Sequence, residues 1–175
     1  MRDRQVSRGT RRAREFEAFV AGAAGRLLHA ATLLTAEAPD ANPRARRLLA
    51  HALAHTYARW DRLHGEDPYD CARQYLATRF ARATWHQYVH QYLHPYVAFG
   101  RARPDPRSPL AALTPQERLI LVLRLYEGVA EEQTAALLGL PTERIHTMCD
   151  RATATLLHPA RPTAPRTAGP KVAPS

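Results

Sequence analysis

The sequence has few cysteines and no long apolar run. Its two cysteines, Cys71 and Cys149, lie in different halves of the chain and form neither a metal-ligand spacing nor a disulfide framework. No apolar run approaches the roughly 18 residues that a membrane span requires, and the N-terminal arginines are not followed by the apolar core of a secretory signal. From these absences we expect a reduced, cytoplasmic protein without a membrane partner.

The chain also lacks the motifs of common enzyme sites. It has no nucleophile elbow, no glycine-rich phosphate loop and no carboxylate pair. His51 and His55 are four residues apart, as are His86, His90 and His94, and this spacing can hold a transition metal. Because no acidic or cysteine ligand accompanies them, we predict no bound metal and no cofactor, and the missing catalytic motifs predict no enzyme activity.

Basic charge is concentrated at the two ends of the chain. The 175 residues carry a formal net charge of +9. Residues 1–14 account for +5 and residues 159–175 for +3, which leaves +1 for residues 15–158. Basic ends of this kind either add nonspecific attraction to phosphate backbones or are simply solvated and disordered.

Apolar residues at spacings of three and four predict three amphipathic helices in the first half of the chain. The first is predicted at about residues 13–35 and the second at about residues 43–63. One face of the second helix is expected to carry Leu49, Leu53, Thr56 or Tyr57, and Trp60. The third is predicted at about residues 68–93, where Asp67 caps a helix that starts with proline. It is expected to bury Ala72, Tyr75, Leu76, Phe80 and Ala83.

Three shorter helices are predicted in the second half of the chain. The segment TPQE, residues 114–117, is a capping box with proline at the first helical position, and it opens a helix that continues to Tyr126. Two further helices are predicted at residues 130–138 and 141–157, around a turn at Gly139. No period-2 strand pattern is present, so we predict an all-α fold.

The predicted organisation is two small helical domains on a short proline-rich linker. A basic disordered arm is predicted at residues 1–12, and the first domain at residues 13–98. The linker follows at residues 99–111 and the second domain at residues 112–158. A proline-rich disordered tail is predicted at residues 159–175.

The segment EEQTAALLGLPTERIHTMCDRATATLL, residues 131–157, has the outline of a DNA-reading helix-turn-helix. In such a pair the second helix lies in the major groove. Its outward face would present Thr142, Arg144, His146, Thr147 and Arg151. The alternative is an ordinary helical hairpin, and the charge favours it: residues 112–158 contain four Arg and six acids, a net charge of −2, whereas a domain that binds DNA unaided is usually basic.

The third helix carries a second candidate for nucleic-acid binding. Arg79, Arg82 and His86 lie at i, i+3 and i+7, with Arg73 and Trp85 nearby. A basic stripe beside an aromatic ring can bind a single-stranded backbone and stack a base. The alternative is a solvated helix face with Trp85 packed under the linker.

Three segments together resemble a known family. EFEAFVAGAAGRLLHAATLLTAEAP, ARRLLAHALAHTYARWDRL and LTPQERLILVLRLYEGVAEEQTAALLGLPTERIHTMCDRATATLL are similar to extracytoplasmic-function RNA polymerase sigma factors of the short actinobacterial type. The resemblance covers about residues 13–93 and 112–158, and its C-terminal half is the more specific. It implies a region 2-like domain that binds the polymerase clamp and melts the −10 promoter element, and a region 4-like domain that reads the −35 element.

The resemblance also implies roles for individual residues and partners. The residues near the −10 strand would be Arg73, Thr78, Arg79, Arg82 and Trp85. The residues facing the −35 groove would be Thr142, Arg144, His146, Thr147 and Arg151. The polymerase-facing residues would be Arg46, Arg47, Leu49, Ala50, His51, Leu53 and Tyr57. The implied partners are core RNA polymerase, promoter DNA and an anti-sigma factor.

The predicted polymerase-facing segment departs from the family pattern. Arg46, Arg47, Ala50 and His51 occupy positions where family members carry acidic residues or Gln. A reversed charge at such an interface loses attraction and adds like-charge repulsion. Two alternatives therefore stay open: a sigma-derived interaction module that no longer binds core polymerase, and a stand-alone helix-turn-helix regulator that uses the basic tails.

Overall fold

The chain is all-α, as the periodicity predicts. The computed structural model describes residues 2–63, 65–93 and 104–159, and within them the side chains of 9–63, 65–84 and 104–159. These ranges contain α1 (Arg2–Thr35), α2 (Pro43–Arg59), α3 (Pro68–Leu93), α4 (Pro115–Leu121), α5 (Glu131–Leu138) and α6 (Thr142–Leu157). Short 3-10 turns lie at Trp60–Arg62 and Pro109–Ala112, and a π-helical turn at Val122–Tyr126 extends α4.

The basic arm differs from the prediction, because α1 already begins at Arg2. Residues 2–12, predicted as disordered, form its first turns. Arg11 pairs with Glu15 one turn later at 3.6 Å. Arg12 binds Asp61 at 2.9 Å and lies 4.3 Å from the centre of the Tyr57 ring. Through these contacts Arg12 joins α1 to the end of α2. The helix thus extends to residues before the amphipathic pattern begins.

α1 contains a largely apolar stretch. Within Gly9–Thr35 one window of 18 residues has a mean hydropathy of 1.3, so by length and composition alone the helix could cross a membrane, a test that the core helix of a soluble protein also passes. Arg26 lies inside that stretch, so it is not an uninterrupted apolar run. In the folded chain Leu27, Ala31 and Leu34 are buried, and α1 packs against α2 and α3. The apolar side of α1 thus has a partner within the protein.

α2 packs between α1 and α3 through small residues. Its buried residues are Ala45, Ala52 and Thr56. Leu49 and Leu53, predicted for this face, are only partly buried. Small side chains at the contact let neighbouring helices approach closely, so alanines rather than the leucines lie at its centre.

α3 begins and packs largely as predicted. Asp67 caps it by accepting a hydrogen bond from the backbone N–H of Tyr69 at 2.9 Å. Tyr75 is partly buried and stacks on His55 with 4.1 Å between ring centres. Ala83 is exposed, contrary to the prediction. Among the described side chains of α3, which end at residue 84, the buried ones are Ala72, Leu76, Ala77, Phe80 and Ala81.

The capping box of α4 is confirmed. Thr114 Oγ1 accepts from the backbone N–H of Glu117 at 3.3 Å, and Glu117 Oε2 accepts from the backbone N–H of Thr114 at 2.9 Å. Glu117 is buried and also pairs with Arg151 Nε of α6 at 3.1 Å. The cap therefore connects the start of α4 to α6.

Replacing Thr114 by alanine is expected to lower the free energy of unfolding by about 1 kcal/mol, the usual cost of a lost N-cap. Urea denaturation of the full chain measures it. Thr147→Ala is the matched control, since the Thr147 hydroxyl is exposed and donates only to Glu143 O within its own helix. Its expected effect is below about 0.5 kcal/mol, and equal effects of the two substitutions would contradict a stabilising cap.

One hydrophobic cluster runs through both predicted domains. It joins Leu34 of α1 and Phe80 of α3 to Ile120 of α4 and Ile145 of α6. α4 packs against α1 and α3, and α5 packs against α3. Where the predicted linker passes the end of α1, the backbone N–H of Asp105 donates to Ala36 O at 2.7 Å. The C-terminal helices are thus packed on the first three.

Candidate nucleic-acid interface

The turn between α5 and α6 forms the predicted helix-turn-helix. Gly139 ends α5 in the left-handed conformation, with a φ of +65°, which glycine adopts without a steric cost. Pro141 precedes α6 and offers no side-chain cap. Ile145 and Ala152 are buried, so one side of α6 packs on its neighbours and the other lies at the surface.

The predicted −35 residues lie on that outer side. Arg144, His146, Thr147 and Arg151 are exposed, and Thr142 is partly exposed. Arg144, Thr147 and Arg151 follow at i, i+3 and i+7, so they form one stripe along the helix. This arrangement is compatible with major-groove contact, and the assignment of these residues to the −35 element stays a prediction.

Carboxylates neutralise part of this outer face. His146 lies 3.6 Å from Glu131 and 3.3 Å from Asp150, measured between ring nitrogen and carboxylate oxygen. Arg151 pairs with Glu117, but its side chain is 75% exposed, so water screens that pair. Arg144 has no ion-pair partner within the described residues. It is therefore the cation of this set that is freest to meet a phosphate or a base.

The predicted −10 residues on α3 do not share one environment. Arg79 and Arg82 are exposed, and Thr78 donates to Gln74 O at 2.9 Å within the helix. Arg73 is only 17% exposed and pairs with Asp70 at 2.9 Å. The side chain of Trp85 lies outside the described residues. Arg79 and Arg82 are accessible to a nucleic-acid strand, whereas Arg73 lies against the C-terminal helices.

The predicted polymerase-facing segment forms an exposed face of α2 without acidic residues. Arg46, Arg47, Ala50 and His51 are exposed, and Arg46 Nε donates to Asn42 Oδ1 at 2.9 Å. Neither arginine has a carboxylate partner within the described part of the chain. Tyr57 is 39% exposed and packs against Phe16 with 4.8 Å between ring centres. Leu49 and Leu53 contribute more to the core than to this face.

The histidine spacings do not assemble a metal site in the ranges that the structure describes. Within them no group of three or more His, Cys, Asp or Glu residues could hold a metal ion. His55 packs on Tyr75, and burial followed by the nearby Arg59 lowers the pKa of its imidazole. His51 is exposed on α2, and the side chains of His86, His90 and His94 lie outside the described residues.

Sequence reasoning missed a polar cluster around one buried carboxylate, where the C-terminal helices meet α1 and α3. Tyr69 Oη donates to Glu127 Oε1 and Oε2 at 3.0 and 2.9 Å. Arg26 of α1 lies 3.5 Å from the same carboxylate, and Arg73 of α3 lies 4.0 Å from it. These four residues are named the Glu127 cluster below. They come from three separate parts of the chain, so no local pattern could have predicted their contact.

The carboxylate of Glu127 has both cationic and hydrogen-bonding partners in this cluster. The side chain of Glu127 is 1% exposed, and a buried carboxylate requires partners to offset its lost hydration. Burial, and then the hydrogen bond to Glu127, raises the pKa of Tyr69. Its hydroxyl therefore stays protonated and remains a donor to the carboxylate.

Comparison with known proteins identifies one part of the chain. No curated protein and no solved structure matches it. Residues 110–156, about a quarter of the chain, match the family model described as Sigma-70, region 4. That range begins in the turn before α4 and contains α4, α5 and nearly all of α6. The resemblance is thus confirmed at the level of this domain, while the extracytoplasmic-function subtype stays a prediction. The C-terminal helices of this chain form a sigma-70 region 4 domain.

Proposed function

We propose that the chain acts as a sigma factor that directs core RNA polymerase to promoters. The match of residues 110–156 to Sigma-70 region 4 carries this proposal, together with an α6 whose outer side is exposed. The region 4 domain contacts the −35 element, and α3 contacts the −10 element through Arg79 and Arg82. The protein works in the cytoplasm, without catalysis of its own, and an anti-sigma factor is a further partner.

The charge of the region 4 domain supports a role that depends on polymerase. Residues 112–158 carry a net charge of −2, and His146 lies between two carboxylates. Affinity for DNA comes largely from cations that neutralise phosphates, so this domain alone binds weakly. Holding two weak contacts on one polymerase raises the effective concentration of each, which can strengthen overall binding by about 10²- to 10⁴-fold.

Run-off transcription with core polymerase over a genomic promoter library tests the proposal. We expect specific start sites that appear only when the chain is added. A folded natural chain that produces no specific start would overturn the proposal.

The basic face of α2 favours a second candidate, a sigma-derived interaction module that no longer binds core polymerase. Arg46, Arg47 and His51 are exposed on a helix that contains no acidic residue. The resemblance implies acidic residues or Gln there, which would face basic residues of polymerase. Like charges at such an interface repel and suppress the complex.

Replacing both Arg46 and Arg47 by Glu separates the two candidates by co-purification with core polymerase. For an interaction module, the natural chain does not co-purify and the double variant does, because attraction replaces repulsion. For a sigma factor, the natural chain co-purifies and the variant binds no better. Arg14→Glu with Arg62→Glu makes the same charge change at exposed positions outside this face and serves as the control.

A further inference from the structure

We propose that His146 makes DNA binding by the region 4 domain depend on pH. Its imidazole lies between two carboxylates at the outer side of α6, and the gain or loss of one proton changes the charge that this side presents to DNA. This regulation rests on the proposed function in one respect, namely that α6 is the helix that meets DNA.

Both ring nitrogens of His146 face a carboxylate. Nδ1 lies 3.6 Å from Glu131 Oε2 on α5, and Nε2 lies 3.3 Å from Asp150 Oδ2, one turn later on α6. A neutral imidazole carries a proton on one nitrogen only, whereas a protonated imidazole can donate from both. The protonated ring therefore matches both carboxylates, and the neutral ring leaves one of them facing a nitrogen lone pair.

Asp150 depends on His146 for charge compensation more than Glu131 does. Glu131 also lies 3.7 Å from Arg124 Nη2, and Arg124 Nη1 donates to Val129 O. Because an arginine stays charged, Glu131 keeps one cationic partner in either state of the histidine. Asp150 has no cationic partner other than His146 among the described residues. Loss of the proton from His146 therefore leaves Asp150 uncompensated.

The other ionisable groups around His146 do not change their charge in its place. Cys149 lies near the same carboxylates, and burial raises the pKa of its thiol, which stays neutral. Glu143, one turn before His146, is exposed and acidic. From α4, which packs against α6, Glu117 pairs with Arg151 instead, and the 3-10 turn that also packs there has no ionisable side chain. Histidine is the side chain that ordinarily changes its charge between about pH 5 and 8.

Deprotonation of His146 makes the outer side of α6 more negative. With the proton, His146 and Arg124 balance the carboxylates of Glu131 and Asp150, and without it the four side chains carry a net charge of −1. A carboxylate without a cationic partner repels the phosphates that the helix approaches. One unit charge about 4–8 Å from a phosphate changes the affinity by about two- to fivefold in water.

Solvent exposure sets the size of this effect. The side chains of His146 and Asp150 are 65% and 70% exposed, so protons and salt ions reach them, in contrast to the buried carboxylate of the Glu127 cluster. Exposed charge pairs are screened as the ionic strength rises. We therefore expect the pH dependence of DNA binding to be largest at low salt.

Two substitutions of His146 fix the charge at this position in opposite states. His146→Asn removes the positive charge at every pH, and His146→Lys keeps it. Fluorescence anisotropy at low salt measures the affinity of the full chain for a labelled DNA duplex of mixed sequence, at about pH 6 and at about pH 8. The chain contains nine histidines, so the quantity to compare between variants is the ratio of the two affinities. We expect this ratio to fall by about two- to fivefold in both variants, and H146K to bind more tightly than H146N at the higher pH by a similar factor.

His51→Asn is the matched control, because His51 is exposed on α2 and has no carboxylate partner among the described residues. It should leave the ratio as it is in the natural chain, and circular dichroism checks that each variant is folded. An unchanged ratio in either His146 variant, or equal affinities of the two at the higher pH, would overturn the pH dependence. If the ratio depends on His146 but run-off transcription shows no specific start, the proposed function fails while the pH dependence stands. Specific starts with an unchanged ratio would leave the proposed function without this regulation.

Discussion

Replacing Ile120 by alanine is expected to lower the free energy of unfolding by about 2–5 kcal/mol, the usual range for truncating a fully buried aliphatic side chain. Ile120 is 0% exposed and belongs to the cluster that joins the first three helices to the region 4 domain. Small domains are stable by only about 5–15 kcal/mol, so the loss is a large fraction of the total. Chemical denaturation followed by circular dichroism measures it.

Leu125→Ala is the matched control for this substitution. Leu125 is 63% exposed and lies in the π-helical turn that follows α4, so its truncation leaves no buried cavity. We expect an effect below about 0.5 kcal/mol. Because the core is shared, Ile120→Ala should weaken hydrogen-exchange protection in α1–α3 as well as in α4–α6. Loss of protection confined to α4–α6 would contradict a single cooperative core.

The sequence predicts the elements whose chemistry is local. The capping box needs only Thr114, Pro115 and Glu117, and the turn between α5 and α6 needs only a glycine that adopts a positive φ. Ile145 and Ala152 are both buried on α6, at the i, i+7 spacing of one helix face. Each of these features depends on residues within a few turns of one another, so short-range patterns were sufficient.

Features that depend on distant residues could not be predicted in this way. Tyr69 and Glu127 are 58 positions apart, and neither lies in a sequence pattern that predicts contact with the other. The contacts of Arg12 with Asp61 and with the backbone of Tyr57 join residues 49 and 45 positions apart. The π-helical turn at Val122–Tyr126 also carries no sequence signal that the apolar spacing could show.

In the candidate site, too, the features that depend on nearby residues could be predicted and those that depend on distant residues could not. The spacing of Arg144, Thr147 and Arg151 predicts a common helix face. It does not show which cations are already paired, because the partners of His146 and Arg151 include Glu131 and Glu117 on other helices. The net charge of the region 4 domain predicts that it binds DNA weakly. Only the packing shows which cation remains unpaired.

Substitution of Arg144, the unpaired cation, is expected to have the largest effect on function. Arg144→Glu should reduce promoter-specific transcription by about 5- to 150-fold, since loss of an arginine contact to a base costs about 1–3 kcal/mol. The new carboxylate would also lie beside Glu143 and repel the DNA backbone. Run-off yield from a promoter with an intact −35 element measures the effect, and a folded variant with natural yield would exclude α6 as the DNA-reading helix.

Arg107→Glu and Glu131→Gln separate a local contact from a general charge effect. Arg107 is exposed and lies in the turn before the region 4 domain, so Arg107→Glu makes the same charge change away from α6 and should leave the yield nearly unchanged. Glu131→Gln removes a carboxylate 3.6 Å from His146 and 3.7 Å from Arg124, so it should raise affinity for the −35 element. If the run-off yields of all three variants follow net charge alone, the region 4 domain attracts DNA without recognising its sequence. A loss confined to Arg144→Glu, with a gain in Glu131→Gln, would instead locate the contact on the stripe of α6 that carries Arg144.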